Sequence, residues 1–321
     1  MKEKLISVVT LIFMTTPGLA SAETTDSFNG SVGLGAIVID SGNNLNPEGS
    51  EKRLDNLNSA ADPVTAFLPA ILPEVTWDAG QPEGIRFYLS TDPPIDEVGG
   101  FALNLGASYK INKAGILDTA VFFTPFEKAW ENPYITGMNR KETDTTKYGF
   151  KIGLNRIMGT GFRAQFVYLN DDVDDDTIGE LMPDLARDGA VYSLNMNYSY
   201  YIGNNLELRP RFSIRHGDYD GEANSFMKYK IDLEARYMTG QWLIVPRVFY
   251  SHSDFEETNP IFNKTRKNDS YGASLMTTYM APFNWEKWSA TGLLSISRGD
   301  SNIDFYDTEA ATIGGLLTYH F

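Results

Sequence analysis

The sequence predicts an all-β fold, a transmembrane antiparallel up-and-down β-barrel that closes on itself. Three observations predict it. From about residue 28 onward the chain repeats one physical unit: an alternating apolar/polar run, a short Gly/Asn/Pro turn, a second run, then a longer polar stretch. No apolar run beyond the N-terminal leader is long enough to cross a bilayer as a helix. The last residues alternate as well: Ala311, Ile313, Gly315, Leu317, Tyr319 and Phe321 share one face, while Thr312, Gly314, Leu316, Thr318 and His320 share the other. Backbone N–H and C=O groups at membrane depth need internal partners, so a final strand of this kind must pair with the first.

The start of the chain reads as a secretory leader covering residues 1–22. Lys2 and Lys4 provide charge, Leu5 to Met14 a short apolar core, Pro17-Gly18 a break, and Ala20-Ser21-Ala22 a small-x-small cleavage site. The mature chain, 23–321, is then one barrel domain. Cysteine is absent, which leaves no disulfide framework, and no lipid anchor is expected. The net charge of −15 argues against nucleic-acid binding, which needs a basic footprint.

Fourteen runs follow, near 28–41, 74–79, 85–91, 98–110, 116–125, 147–157, 162–170, 190–202, 206–217, 226–238, 242–252, 270–281, 288–298 and 309–321. The second and third are short; if they form a folded loop, the count falls to twelve. Short turns at 81–84, 112–115, 158–161, 203–205, 239–241 and 282–286 carry the Gly, Asn and Pro that tight reversals require. Long connections at 42–73, 91–97, 126–146, 170–190, 217–225, 253–269 and 299–307 alternate with them, as extracellular loops alternate with periplasmic turns. The segment 53–73 is the unusual loop. Its Leu54, Leu57, Val64, Phe67, Leu68, Ile71 and Leu72 are too apolar to dangle in water, so it enters the lumen, caps the mouth or packs on the outer rim.

Parity assigns the faces. Tyr192, Leu194, Met196, Tyr198 and Tyr200 point to lipid, as do Met227, Tyr229, Ile231, Leu233, Ala235 and Tyr237. Trp242, Tyr279, Trp285 and Trp288 suit a headgroup girdle. The opposite parity collects eleven inward cations: Arg86, Lys110, Lys151, Arg163, Arg209, Arg211, Arg215, Lys228, Lys230, Arg236 and Arg247. Against them stand Asp78, Asp118, Glu207, Asp232 and Glu234, a surplus of six positive charges inside an acidic protein. Two readings follow: a water-filled lumen that favours anions, or a polar core in which the charges pair and fill the interior.

Other chemistry is weaker. His216 precedes Asp218 and His252 precedes Asp254, which hints at a rim catalytic pair. Both histidines share parity with lipid-facing residues, so headgroup-level placement is expected and no catalysis. The acidic run Asp171 to Asp176 lacks a glycine-spaced calcium loop and reads as a solvated loop. No metal and no cofactor are expected.

Leader, alternating strands and terminal Phe321 together resemble Gram-negative outer-membrane β-barrel proteins of porin-like type. The resemblance implies an outer-membrane location, contact with lipid and lipopolysaccharide, and assembly machinery that recognises Phe321. It selects no substrate. The expected function is a channel for small hydrophilic, anionic solutes lined by Arg209, Arg211, Arg215, Lys228, Lys230, Arg236 and Arg247. The alternatives are a non-conducting surface or adhesion barrel and a hydrophobic-solute transporter with 54–72 at its mouth.

Overall fold

Alternation of side chains becomes a closed cylinder in a computed structural model that describes residues 27–79, 84–91 and 102–321. The leader, most of the turn at 81–84 and most of the connection after residue 91 lie outside the described residues. The strands are β1 (Ser27–Gly42), β2 (Val64–Ala79), β3 (Ile85–Ser90), β4 (Leu103–Ile111), β5 (Gly115–Trp130), β6 (Glu142–Asn155) and β7 (Phe162–Val173). Strand β8 runs in two pieces, Gly189–Tyr198 and Tyr200–Ile202, broken at Ser199, whose N–H turns to the Gly161 carbonyl at 2.9 Å. Then come β9 (Leu206–Tyr219), β10 (Phe226–Thr239), β11 (Trp242–Asn259), β12 (Lys264–Met280), β13 (Trp288–Ser301) and β14 (Thr308–His320).

Each strand pairs antiparallel with its chain neighbours, and β14 pairs back onto β1 from Ser31 with His320 to Gly42 with Glu309. The count is therefore fourteen, and both ends of the described chain lie on the side of the short turns. Closure is tight. A Cβ built on Gly35 would lie 2.0 Å from the Gly315 carbonyl oxygen, so glycine is required where β1 and β14 meet. Phe321 finishes the seam by exchanging two backbone hydrogen bonds with Gly30, at 2.9 and 3.0 Å.

The parity assignment holds around the wall. Leu34, Phe67, Ile71, Val121, Ile152, Leu194, Ile231, Val248, Leu294 and Ile313 are exposed on the outer surface, a belt of apolar side chains that only a bilayer would cover. At the short-turn end Trp242 packs on Tyr279 at 4.7 Å and Trp288 on Tyr319 at 5.1 Å, so the expected girdle forms. This is the surface of an outer-membrane barrel.

Two expectations need correction. Strand β2 is ten residues longer than the run at 74–79, because Val64 to Pro73 pairs with β1 instead of forming a loop. The prolines misled the sequence reading. Strand β3 pairs with β2 only over Val75–Ala79, so among the described residues Pro69 and Pro73 fall where β2 has β1 alone as a ladder partner. Several long connections are also shorter than expected: β5 runs to Trp130, β6 starts at Glu142, β11 reaches Asn259 and β12 starts at Lys264. Most residues of these extensions are polar whichever face they take, with Trp130 and Phe255 as exceptions, so the alternation no longer marks the strand.

Candidate functional site

The lumen has two chemically different walls. The first is the basic wall expected from parity, on the inward faces of β9, β10 and β11. Register places Arg209 opposite Glu234, Arg211 opposite Asp232, Arg215 opposite Lys228, and Glu234 opposite Arg247. All seven predicted lining residues lie here: Lys230, Arg236 and Arg247 are buried, and Arg209, Arg211, Arg215 and Lys228 half-buried. Arg209 holds Glu207 at 2.6 Å and reaches Glu234 at 3.6 Å, and Arg247 is paired to Asp232. Glu234, only 1% exposed, sits in the field of Arg209, Arg211, Arg236 and Arg247 together. Lys230 lies over the Phe249 ring at 4.4 Å. Charge pairing of the kind the filled-interior reading expects is present. The carboxylates are all engaged, and seven cationic side chains still face three of them, Glu207, Asp232 and Glu234.

The second wall was missed. Ile37, Ile39, Leu68, Ala70, Leu243, Val245, Met276, Leu293 and Leu316 are buried and form one apolar cluster, with Leu72 against it. They come from β11, β12, β13, β14, β1 and β2, six consecutive strands of the closed sheet, and share inward parity with hydroxyl residues such as Thr278 and Thr291. The signal was present in the sequence. Ala36–Ile39 and Phe67–Leu72 are continuous apolar runs, and such a run means a strand apolar on both faces.

The extracellular mouth is covered. The loop after β5 meets the loop after β11: Tyr134 packs on Phe262 at 5.9 Å. These two loops are separated by six strands in a ring of fourteen, nearly opposite one another, so the contact crosses the opening. Phe305 fills the centre, fully buried, 5.2 Å from Tyr134 and 5.4 Å from Phe262, with Tyr306, Leu54 and Leu57 completing the cluster. The Tyr134 and Tyr306 hydroxyls are 2.7 Å apart, and Asn259 donates to Tyr306 at 2.7 Å. Burial pushes the Tyr306 phenol above its ordinary range, so it stays neutral and can serve in this chain. Segment 53–73 therefore divides: its first part joins the cap and its second is strand β2.

Arg140 ties the β1–β2 loop to the β5–β6 loop. Its guanidinium donates to the Asn44 carbonyl at 2.6 Å, the Pro133 carbonyl at 3.2 Å, Ser50 Oγ at 2.9 Å and the Glu51 carbonyl, and stacks 4.2 Å over Trp130. Burial lowers its pKa to about 10, which leaves it charged at neutral pH. A second satellite, Ile178 and Leu185 with Ala223, covers the side over β7–β10 around the short helix α1 (Thr177–Leu181). The acidic run is partly absorbed here, since Asp176 caps α1 and pairs with Arg187 at 2.6 Å.

The histidines stand where parity put them. His252 faces outward between Asp269 at 2.9 Å and Asp254 at 3.1 Å, and His216 stacks on Tyr192.

Residues 27–320 match the family described as protein of unknown function DUF2860. The chain belongs to that family. Comparison with curated protein sequences gives no match. Among solved structures the chain is similar to a loop L8 deletion mutant of OmpT, an outer membrane protein of Vibrio cholerae, at 9% identity, covering 92% of this chain and 99% of that one, with a TM-score of 0.45. It is also similar to an anion-selective porin from Comamonas acidovorans (10% identity, 93% and 100% coverage, TM-score 0.44). A third is a Pseudomonas aeruginosa FadL homologue (16% identity, 91% and 89% coverage, TM-score 0.43).

Proposed function

We propose that this DUF2860 barrel is an outer-membrane channel for small anionic solutes, with an extracellular entrance that opens when the loop cap is displaced. One observation carries the reading: seven cationic side chains face three carboxylates on the inward surface of β9–β11. A wall of net positive charge in a low-dielectric cylinder concentrates anions and repels cations, and arginine forks suit carboxylate and phosphate oxygens. Surrounding lipopolysaccharide and assembly machinery acting on Phe321 remain part of the proposal.

The test is the reversal potential of refolded protein in a planar bilayer under a potassium chloride gradient. Anion preference is expected, and cation preference overturns the reading. The double variant Arg211→Glu, Arg215→Glu reverses four charges' worth of the wall and is expected to move the potential toward the cation side. No movement would mean that this wall does not line the path.

A further inference from the structure

The basic and apolar walls meet along β11, and the seam has a definite geometry. On its inward face β11 carries Leu243 and Val245, then Arg247 and Phe249. On the next strand β12, Met276 lies opposite Val245 and continues the apolar side, while Ser274 lies opposite Arg247. On the preceding strand β10, Glu234 lies opposite Arg247 and Tyr237 opposite Ile244. Continued between those pairs, the same register sets Arg236 beside Val245. Within the span of two residues the lumen wall passes from guanidinium groups to a buried aliphatic surface that extends over six strands through Leu293, Leu316, Ile37 and Leu68.

A channel for compact hydrophilic ions has no use for the second surface. Aliphatic side chains on the inward face of six of the fourteen strands offer water no hydrogen-bonding partners. A solute with an anionic head and an apolar body matches both walls at once. We infer that the lumen binds amphipathic anions, of the medium-chain carboxylate type, with the head at Arg236 and Arg211 and the alkyl body along Val245, Met276 and Leu293. Charge complementarity selects an anion over a cation, and the aliphatic extent selects an alkyl body over a sugar. The inference rests on the channel reading, because the site is placed in the solute path.

The test is equilibrium dialysis of radiolabelled decanoate against the full refolded barrel in lipid nanodiscs, with empty nanodiscs subtracted for partitioning. Decanoate is expected to be retained at least tenfold more strongly than acetate or decylammonium. Met276→Asn with Leu293→Asn is expected to remove most of that preference, and Met276→Leu to keep it. Arg211→Gln with Arg236→Gln is expected to weaken decanoate while leaving decanol unchanged. Heat-modifiable gel mobility establishes that each variant is a folded barrel. Equal retention of decanoate and acetate, or decanoate retention untouched by the two asparagines, overturns the inference. Anion-selective current with no decanoate preference removes this inference alone, whereas cation-selective current removes the channel reading beneath it.

Discussion

Replacing Phe305 with alanine tests whether the loop cap closes the channel. The ring is fully buried and touches Tyr134, Phe262 and Tyr306 at centroid separations of 5.2 to 5.4 Å. Emptying such a site costs about 3–5 kcal/mol through lost burial and the cavity left behind. That cost falls on the cap. The barrel ladders run from strand to strand without the Phe305 side chain, and its backbone carbonyl, which accepts from Asn44 at 3.1 Å, is untouched. If the closed cap exceeds the open one in stability by a few kcal/mol, a loss of about 3 kcal/mol raises the open population about 100-fold. Single-channel recording reads this as open probability, and hydrogen exchange reads it as faster exchange in the loops 131–141 and 302–307. Unchanged gel mobility shows that the barrel is intact. The reasoning is refuted if the loops exchange faster and the open probability stays the same, because the cap would then be loosened without touching the conducting path.

Three other outcomes are expected. Asp232→Asn leaves Arg247 without its carboxylate in a wall where both side chains are under 10% exposed, and should lower stability by about 3 kcal/mol in urea titrations, with Arg247→Met in the same chain recovering part of it. Ile231→Arg puts a guanidinium on the lipid-facing belt, at a residue 57% exposed, and should cost about 2–4 kcal/mol in lipid-based unfolding titrations. Gly35→Val forces a Cβ toward the Gly315 carbonyl, which it would approach to 2.0 Å, and should reduce the yield of heat-modifiable barrel without altering the conductance of molecules that do close.

The extent to which this protein was legible depended on how local each signal is. Side-chain alternation has a period of two residues and needs no knowledge of the rest of the chain, so the belt from Leu34 to Ile313, the inward seven cations and the strand order could be read directly. Strand ends outside the bilayer were not legible. Glu127–Trp130 pairs with Glu142–Thr145, and Thr258–Asn259 with Lys264–Thr265, in stretches where apolar/polar alternation is lost, and only the partner strand shows that each is a ladder. The apolar wall lay in between: its runs are visible in β1 and β2, but Pro69 and Pro73 disguised one of them as a loop.

The sequence by itself determined a sealed cylinder with a greasy exterior and a positively charged strip inside, because each of these follows from residue identity and parity alone. Only the tertiary structure decided that the interior is divided into two walls and that Tyr134, Phe262, Phe305 and Tyr306 meet over the mouth. Those contacts join residues far apart in the chain, as Tyr134 and Tyr306 are. Which loops can reach one another across the opening is set by the curvature and register of the closed sheet, a property that no single strand carries.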